Sequence, residues 1–140
     1  MMISTKGRYA LRIMIELAQY PREEYVPLKS IAGSQEISEK YLEIIIKNLV
    51  KAGYVEGLRG KGGGYRLALE IKDYTAGGIL KAAEGSLAPV ACLEEGSKPC
   101  PREEKCATLQ MWKDFYKLID DFFEGITLEE LALSLIHISR

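Results

Sequence analysis

The chain has 140 residues, 47% of them hydrophobic and 28% charged, with a net charge of −1. This is the make-up of a globular domain with a single core; it excludes a disordered chain and, with no run near the ~20 apolar residues of a bilayer span, a membrane-embedded helix. The even balance hides an asymmetry, since residues 1–72 hold 12 Lys/Arg against 8 Asp/Glu, a net of +4, and residues 73–140 hold 7 against 12, a net of −5. A basic half suited to nucleic acid, joined to an acidic half with another task, is the expectation. The opening MMISTKGRYALR has no apolar stretch followed by a small-residue cleavage site, so a cytoplasmic protein with reduced thiols is expected.

Ala10, Ile13, Met14, Leu17 and Ala18 fall at i, i+3, i+4, i+7 and i+8, the apolar stripe of an amphipathic helix that starts near Ser4 and stops at Tyr20-Pro21. After Pro27, LKSIAGSQ reads as a short second helix, and Glu36-Ile37 as a tight turn ahead of Ser38, the N-cap of a third. There Leu42, Ile45, Ile46, Leu49 and Val50 repeat the spacing and Gly53 supplies the stop. Residues 54–58 and 64–69 read as two strands flanking a glycine-rich loop, a β-hairpin. Thr75 precedes a short helix over residues 76–84, residues 106–124 form the longest helix, and Thr127 with Glu130 makes a capping box for a last short one. The expected fold is mainly α with a small β-hairpin: a winged helix-turn-helix domain over residues 1–72, a cysteine loop and long dimerisation helix over 73–132, and a tail at 133–140. In that tail LSLIHIS resembles the translation of a transposon-derived sequencing adapter, and residues 133–140 are expected to be read-through rather than evolved sequence. His137, the single histidine, then carries no function. Without it no Cys–His–Asp set can be assembled, so an enzyme is not expected.

The stretch RGKGGGYRL, residues 59–67, packs glycines around Arg59, Lys61 and Arg66. Glycine permits a tight turn and close approach of backbone to a ligand, and the cations suit phosphate; a solvated turn without function is the other reading. Glycines at 57, 60, 62, 63 and 64 fit neither the Walker spacing nor G-x-G-x-x-G, which turns the reading away from a nucleotide enzyme. In a winged helix-turn-helix the third helix enters the major groove, here presenting Ser38, Glu39, Lys40, Tyr41, Glu43 and Lys47. Phosphate repels Glu43 unless it accepts a hydrogen bond, and the cytosine N4 amine is the base-edge donor it fits; alternatively it pairs with Lys47 at i, i+4 for about 0.3–0.5 kcal/mol. Arg59 suits a narrow minor groove, and Lys6, Arg8 and Arg12 suit phosphates.

Met111, Trp112, Phe115, Tyr116, Leu118, Ile119, Phe122 and Phe123 cover about half the circumference of the longest helix, wider than the ~100° stripe of a helix packed on one core. One face for its own protomer and one for a second copy would give a homodimer with recognition helices about one DNA turn apart. Trp112, Phe115, Tyr116, Ile119, Phe122 and Phe123 are the candidates for that interface; a stripe buried wholly within a monomer is the alternative. Cys92, Cys100 and Cys106 have seven and then five residues between them, in a loop with Gly96, Pro99 and Pro101. An odd count in so short a loop argues against a disulfide framework, and the lack of C-x-x-C pairs weighs against a zinc ribbon or a thioredoxin-like site. An iron–sulfur cluster therefore stands ahead of a zinc-stabilised interaction module or three unrelated thiols.

STKGRYALR at the start, ISEKYLE in the third helix, RGKGGGYRL in the wing, the three-cysteine loop and LQMWKDF closing it resemble the IscR-like regulators of the Rrf type, over nearly all of residues 1–131. The resemblance implies a homodimeric winged-helix transcription regulator of promoter operator DNA, more commonly a repressor. It also implies a two-iron or four-iron cluster, the two-iron form preferred, whose presence, loss or reaction with nitric oxide or oxygen alters DNA binding. Members without a cluster regulate cysteine metabolism through a sensing partner enzyme. Cys92, Cys100 and Cys106 match the ligand cysteines, and Tyr41, Glu43 and Arg59 match DNA-reading positions. The fourth ligand does not carry over: the His of IscR-like members falls at Leu109, and the acidic residue of nitric-oxide-sensing members at Arg8. Glu95, Glu103, Glu104, a group of the partner chain or an exogenous ligand would have to serve.

Overall fold

The structure, a computed structural model, describes residues 3–94 and 107–138, the last four in backbone alone. Helices α1 (Thr5–Leu17), α2 (Leu28–Gln35) and α3 (Glu39–Lys51) come first. Their apolar stripes are the buried ones: Ala10, Ile13, Met14 and Leu17 of α1 meet Ile31 of α2 and Leu42, Ile45, Ile46 and Leu49 of α3 in one core. Val50 is exposed instead, because at ~100° per residue it lies about 90° round the helix from the centre of that face. Between α2 and α3 the chain turns at Glu36, whose φ of 56° is left-handed, and the amides of Glu36 and Ile37 donate back to the carbonyls of Gly33 and Ala32. Ser38 then caps α3, its Oγ accepting from the Tyr41 amide at 3.1 Å.

Strands β1 (Val55–Leu58) and β2 (Gly64–Leu67) pair antiparallel, Val55 opposite Leu67 and Leu58 opposite Gly64. Both are shorter than the sequence pattern predicts: past the ladder a single backbone bond remains, from the Ala68 amide to the Tyr54 carbonyl at 3.1 Å, and a side chain joins it. The buried Tyr74 hydroxyl donates to the Tyr54 carbonyl at 2.6 Å and accepts from the Leu69 amide at 2.9 Å. The wing also gains a rung that the sequence pattern does not show, since Val26 exchanges two backbone hydrogen bonds with Tyr65 at 2.8 and 2.9 Å. That closeness requires Gly64: its φ is 150°, and a Cβ there would run into the Val26 carbonyl.

A 3-10 turn, Ile71–Asp73, leads to α4 (Ala76–Glu84), capped by Thr75 through a 2.9 Å bond from the Gly78 amide. A second 3-10 turn spans Ala91–Leu93. Helix α5 (Leu109–Glu124) begins later than expected, since residues 107 and 108 form a turn and 106 lies outside the described residues. In α6 (Leu128–Ile138) the first turn is held by Thr127 Oγ1 accepting from the Glu130 amide at 3.1 Å. This last helix returns to the core: Leu128 is fully buried there, and its amide donates to the Tyr74 carbonyl at 3.0 Å. Residues beyond the wing therefore share the core of the winged helix. Helix α5 docks on α4 through Lys81, whose Nζ lies 2.5 Å from Asp120 and 3.1 Å from Glu124, with Thr75 donating to Glu124 at 2.9 Å. Among the described residues no helix is long and apolar enough to cross a membrane.

Candidate nucleic-acid interface

The outward face of α3 carries Glu39, Lys40, Glu43, Ile44 and Lys47, all exposed. Tyr41 is half-buried and packs edge-on against Tyr9 of α1, ring centres 6.0 Å apart. The Arg12 guanidinium lies 4.6 Å over the same Tyr9 ring and donates from Nε to Gln35 Oε1 at 2.8 Å, while Gln35 Nε2 donates to Glu16 Oε1 at 2.5 Å. Arg12, expected among the phosphate contacts, thus fastens α1 to the end of α2. The Tyr9–Tyr41 contact brings the middle of α1 against the start of α3. Ser38 is committed to its cap as an acceptor, which leaves its hydroxyl hydrogen to donate.

Among the described residues the ion pairs are Arg66–Glu56, Lys72–Glu70, Lys81 with Asp120 and Glu124, and Lys117–Asp121. Lys6, Arg8, Lys40, Lys47, Arg59 and Lys61 take part in none of them. Glu43 and Lys47 form no pair with each other either, so the surface-pair reading of Glu43 is not realised and both groups stay available. Arg66, grouped with the wing cations by sequence, is held by Glu56 at 3.1 Å and stacks 4.4 Å over Tyr25. Of the three wing cations, Arg59 and Lys61 are the exposed ones, at the glycine-lined tip where Gly60 and Gly62 take φ of 94° and 78°.

Cys92 is exposed on the 3-10 turn that follows α4. Cys100, Cys106, Glu95, Glu103 and Glu104 lie outside the described residues, and among the described ones no three metal-binding side chains come together. Leu109 opens α5 and Arg8 is exposed on α1; neither side chain is an iron ligand.

On α5, two stripes run one residue out of step. Trp112, Tyr116, Ile119 and Phe123 turn toward the protomer, with Ile119 only 9% exposed. Ile119 is therefore part of the protomer's own packing. Met111, Phe115, Leu118 and Phe122 form the open stripe, Leu118 being 69% and Phe122 62% exposed. Met111 and Leu118 join the interface candidates; the sequence periodicity contains them, but the docking of α4 decides which stripe stays open. Ile44 is a further residue that sequence reasoning passes over, because it stands next in sequence to the core residues Ile45 and Ile46 although it lies on the opposite face of the helix.

A helix-turn-helix with a cationic wing and unpaired Lys and Arg on its outward surfaces defines a winged-helix DNA-binding protein. The chain belongs to the Rrf2 family: the family's model, described as an iron-dependent transcriptional regulator, matches residues 3–133. It is 38% identical over 133 residues to the HTH-type transcriptional regulator IscR of Aliivibrio salmonicida, covering 95% of this chain and 78% of that protein. It is 42% identical over 132 residues to the regulator CymR of Bacillus subtilis, covering 94% and 90%. Among solved structures, CymR, the global cysteine regulator of B. subtilis, superposes with a TM-score of 0.75 at 41% identity, over 96% of this chain and 98% of that one. T. potens IscR superposes at 0.74 with 36% identity, over 96% and 88%. The chain is a transcriptional regulator of the helix-turn-helix type with a mainly helical, winged fold.

Proposed function

We propose that the chain acts as a homodimeric repressor whose operator affinity is set by an iron–sulfur cluster, two-iron in preference to four-iron, held by Cys92, Cys100 and Cys106. Residues 1–72 bind DNA, with α3 in the major groove and Arg59 and Lys61 at the wing on the adjacent backbone and minor groove. Residues 73–132 sense and pair, through the cysteines and the open stripe of α5. The observation that carries this is the position of Cys92, exposed just beyond α4, the helix bonded to the start of α1 by Glu84 and to α5 by Lys81. The donor chemistry fits, since three soft thiolates in a reducing compartment suit iron and sulfide. Such a cluster supplies a charge and redox state that change when iron is lost or oxidised. Around it, Glu84 fixes the first turn of α1, and Lys81 and Thr75 fix α5, so a shift of α4 reaches both the DNA-facing helices and the dimer helix. To switch occupancy from 1:99 to 99:1, the two states must differ by about 5.5 kcal/mol in their hold on the cluster.

A second reading, a cluster-free regulator of cysteine metabolism acting through thiols or a sensing partner enzyme, is favoured by the 42% identity with CymR and by the absence of a ligand at Leu109 and Arg8. Operator affinity measured side by side for iron-loaded and iron-stripped dimers separates the two. A change of about tenfold or more, roughly 1.4 kcal/mol, supports cluster control. Equal affinity on every promoter fragment eliminates it and leaves the thiol or partner reading.

A further inference from the structure

At ~100° per residue, Lys40, Glu43, Ile44 and Lys47 fall within an arc of about 100° on α3, opposite the buried Leu42, Ile45, Ile46 and Leu49. Two of the four, Lys40 and Lys47, are cations suited to the phosphates that line a groove, and Glu43 is an acceptor for a base-edge donor. The fourth, Ile44, is β-branched, 45% exposed, and flanked by Lys40 at i−4 and Lys47 at i+3. Helix propensity does not account for it, since Ile is a poorer helix former than Lys or Glu, and neither does the core, which Ile45 and Ile46 already fill. A single exposed apolar residue is ordinary on a surface that meets only water. On a surface that meets the major groove it has one base-dependent apolar partner, the C5 methyl of thymine.

We propose that Ile44 is a specificity residue that reads a thymine methyl in the operator, beside the cytosine amine read by Glu43. Neighbouring residues on a helix are about 1.5 Å apart along the axis, so the thymine lies within about two base pairs of that cytosine. Ile44 also screens the groove against G·C pairs at that step, which offer polar edges and no methyl. The proposal rests on α3 occupying the groove, and the test is arranged to separate the two.

The duplex bound most tightly by the full-length dimer is selected from a random library, and each thymine is then replaced in turn by deoxyuridine. The exchange removes one methyl and keeps every hydrogen-bonding group. One thymine per half-site should weaken binding about fourfold, the worth of one buried methyl. Ile44→Ala should bind the thymine and uracil duplexes equally, whereas Glu43→Ala should keep the uracil penalty; Ile44→Ala has an unchanged melting curve because the side chain is outside the core. Uniform affinity for all uracil duplexes, or a penalty that survives in Ile44→Ala, overturns the assignment. If replacing Lys40 and Lys47 by Ala leaves affinity unaltered, the docking of α3 is wrong and the assignment falls with it.

Discussion

Glu84, the last residue of α4, caps α1 across 80 residues of chain: its Oε1 accepts from the Ser4 amide at 3.1 Å, the Ser4 hydroxyl at 2.6 Å and the Gly7 amide at 2.9 Å. The first amides of a helix have no partner within it, and a carboxylate there also meets the positive end of the helix dipole. Ser4 stands at the N-cap position, yet its side chain donates to Glu84 and makes no cap of its own. Gly7 is glycine because a Cβ would run into that carboxylate.

Replacing Glu84 by Ala should therefore lower the free energy of unfolding by about 1–2 kcal/mol, read from urea denaturation. Gly7→Ala should also destabilise, but by much less when Glu84 is already Ala, since the clash is then gone. Additive effects would show that the two residues do not meet.

Tyr74 gives the fold a signature at high pH. Burial is the largest cause holding its hydroxyl above the ordinary value near 10, opposed by its hydrogen bonds to the backbone. The unfolded chain then loses this proton first, so the stability tied to Tyr74 is complete below about pH 10 and declines as pH rises toward the folded-state value. Tyr74→Phe should cost about 1–3 kcal/mol at neutral pH, because the Leu69 amide loses its acceptor while the Tyr54 carbonyl keeps only the Ala68 amide, and should flatten the decline above pH 10. A variant whose alkaline stability falls as steeply as that of the parent would assign the titration to other groups.

In the proposed dimer the two stripes of α5 have separate tasks, one in assembly and one in folding. Leu118→Glu with Phe122→Glu should leave the thermal transition of the protomer nearly unchanged and convert the dimer to monomer in sedimentation equilibrium. Ile119→Ala should do the reverse, costing about 2–4 kcal/mol of stability as a core truncation. Monomeric parent protein at micromolar concentration would remove the dimer from the proposed function.

Glu43 and Arg59 should fail in different ways. Glu43→Ala should relax the preference at one base pair and keep the salt dependence, because no phosphate contact is lost. Arg59→Ala should weaken all sequences and reduce the slope of log affinity against log salt by about 1. Equal weakening of every sequence by Glu43→Ala would show that it reads no base.

The stripes of α1 and α3, the caps at Ser38, Thr75 and Thr127, and the glycine wing are legible in the sequence because each is decided within a few residues. Relations across the chain are not. Nothing near Ser4 announces Glu84, and nothing near Val26 announces Tyr65, since each pairing depends on how the helices pack. The same limit applies to α5, where the sequence shows eight apolar positions but only the docking of Lys81 on Asp120 and Glu124 selects the stripe turned inward. Arg12 and Arg66 illustrate it for the site: as cations in a basic half they resemble Arg59, yet Gln35 and Glu56 hold them.

Iron and acid-labile sulfide per protomer, measured with the visible spectrum on protein purified without oxygen, test cluster control most directly. Roughly two of each, with the colour lost when Cys92, Cys100 or Cys106 is replaced by Ala, is the expected result for a two-iron cluster. A colourless, iron-free dimer that binds its operator at full affinity would contradict it and move the sensing to thiols or a partner enzyme.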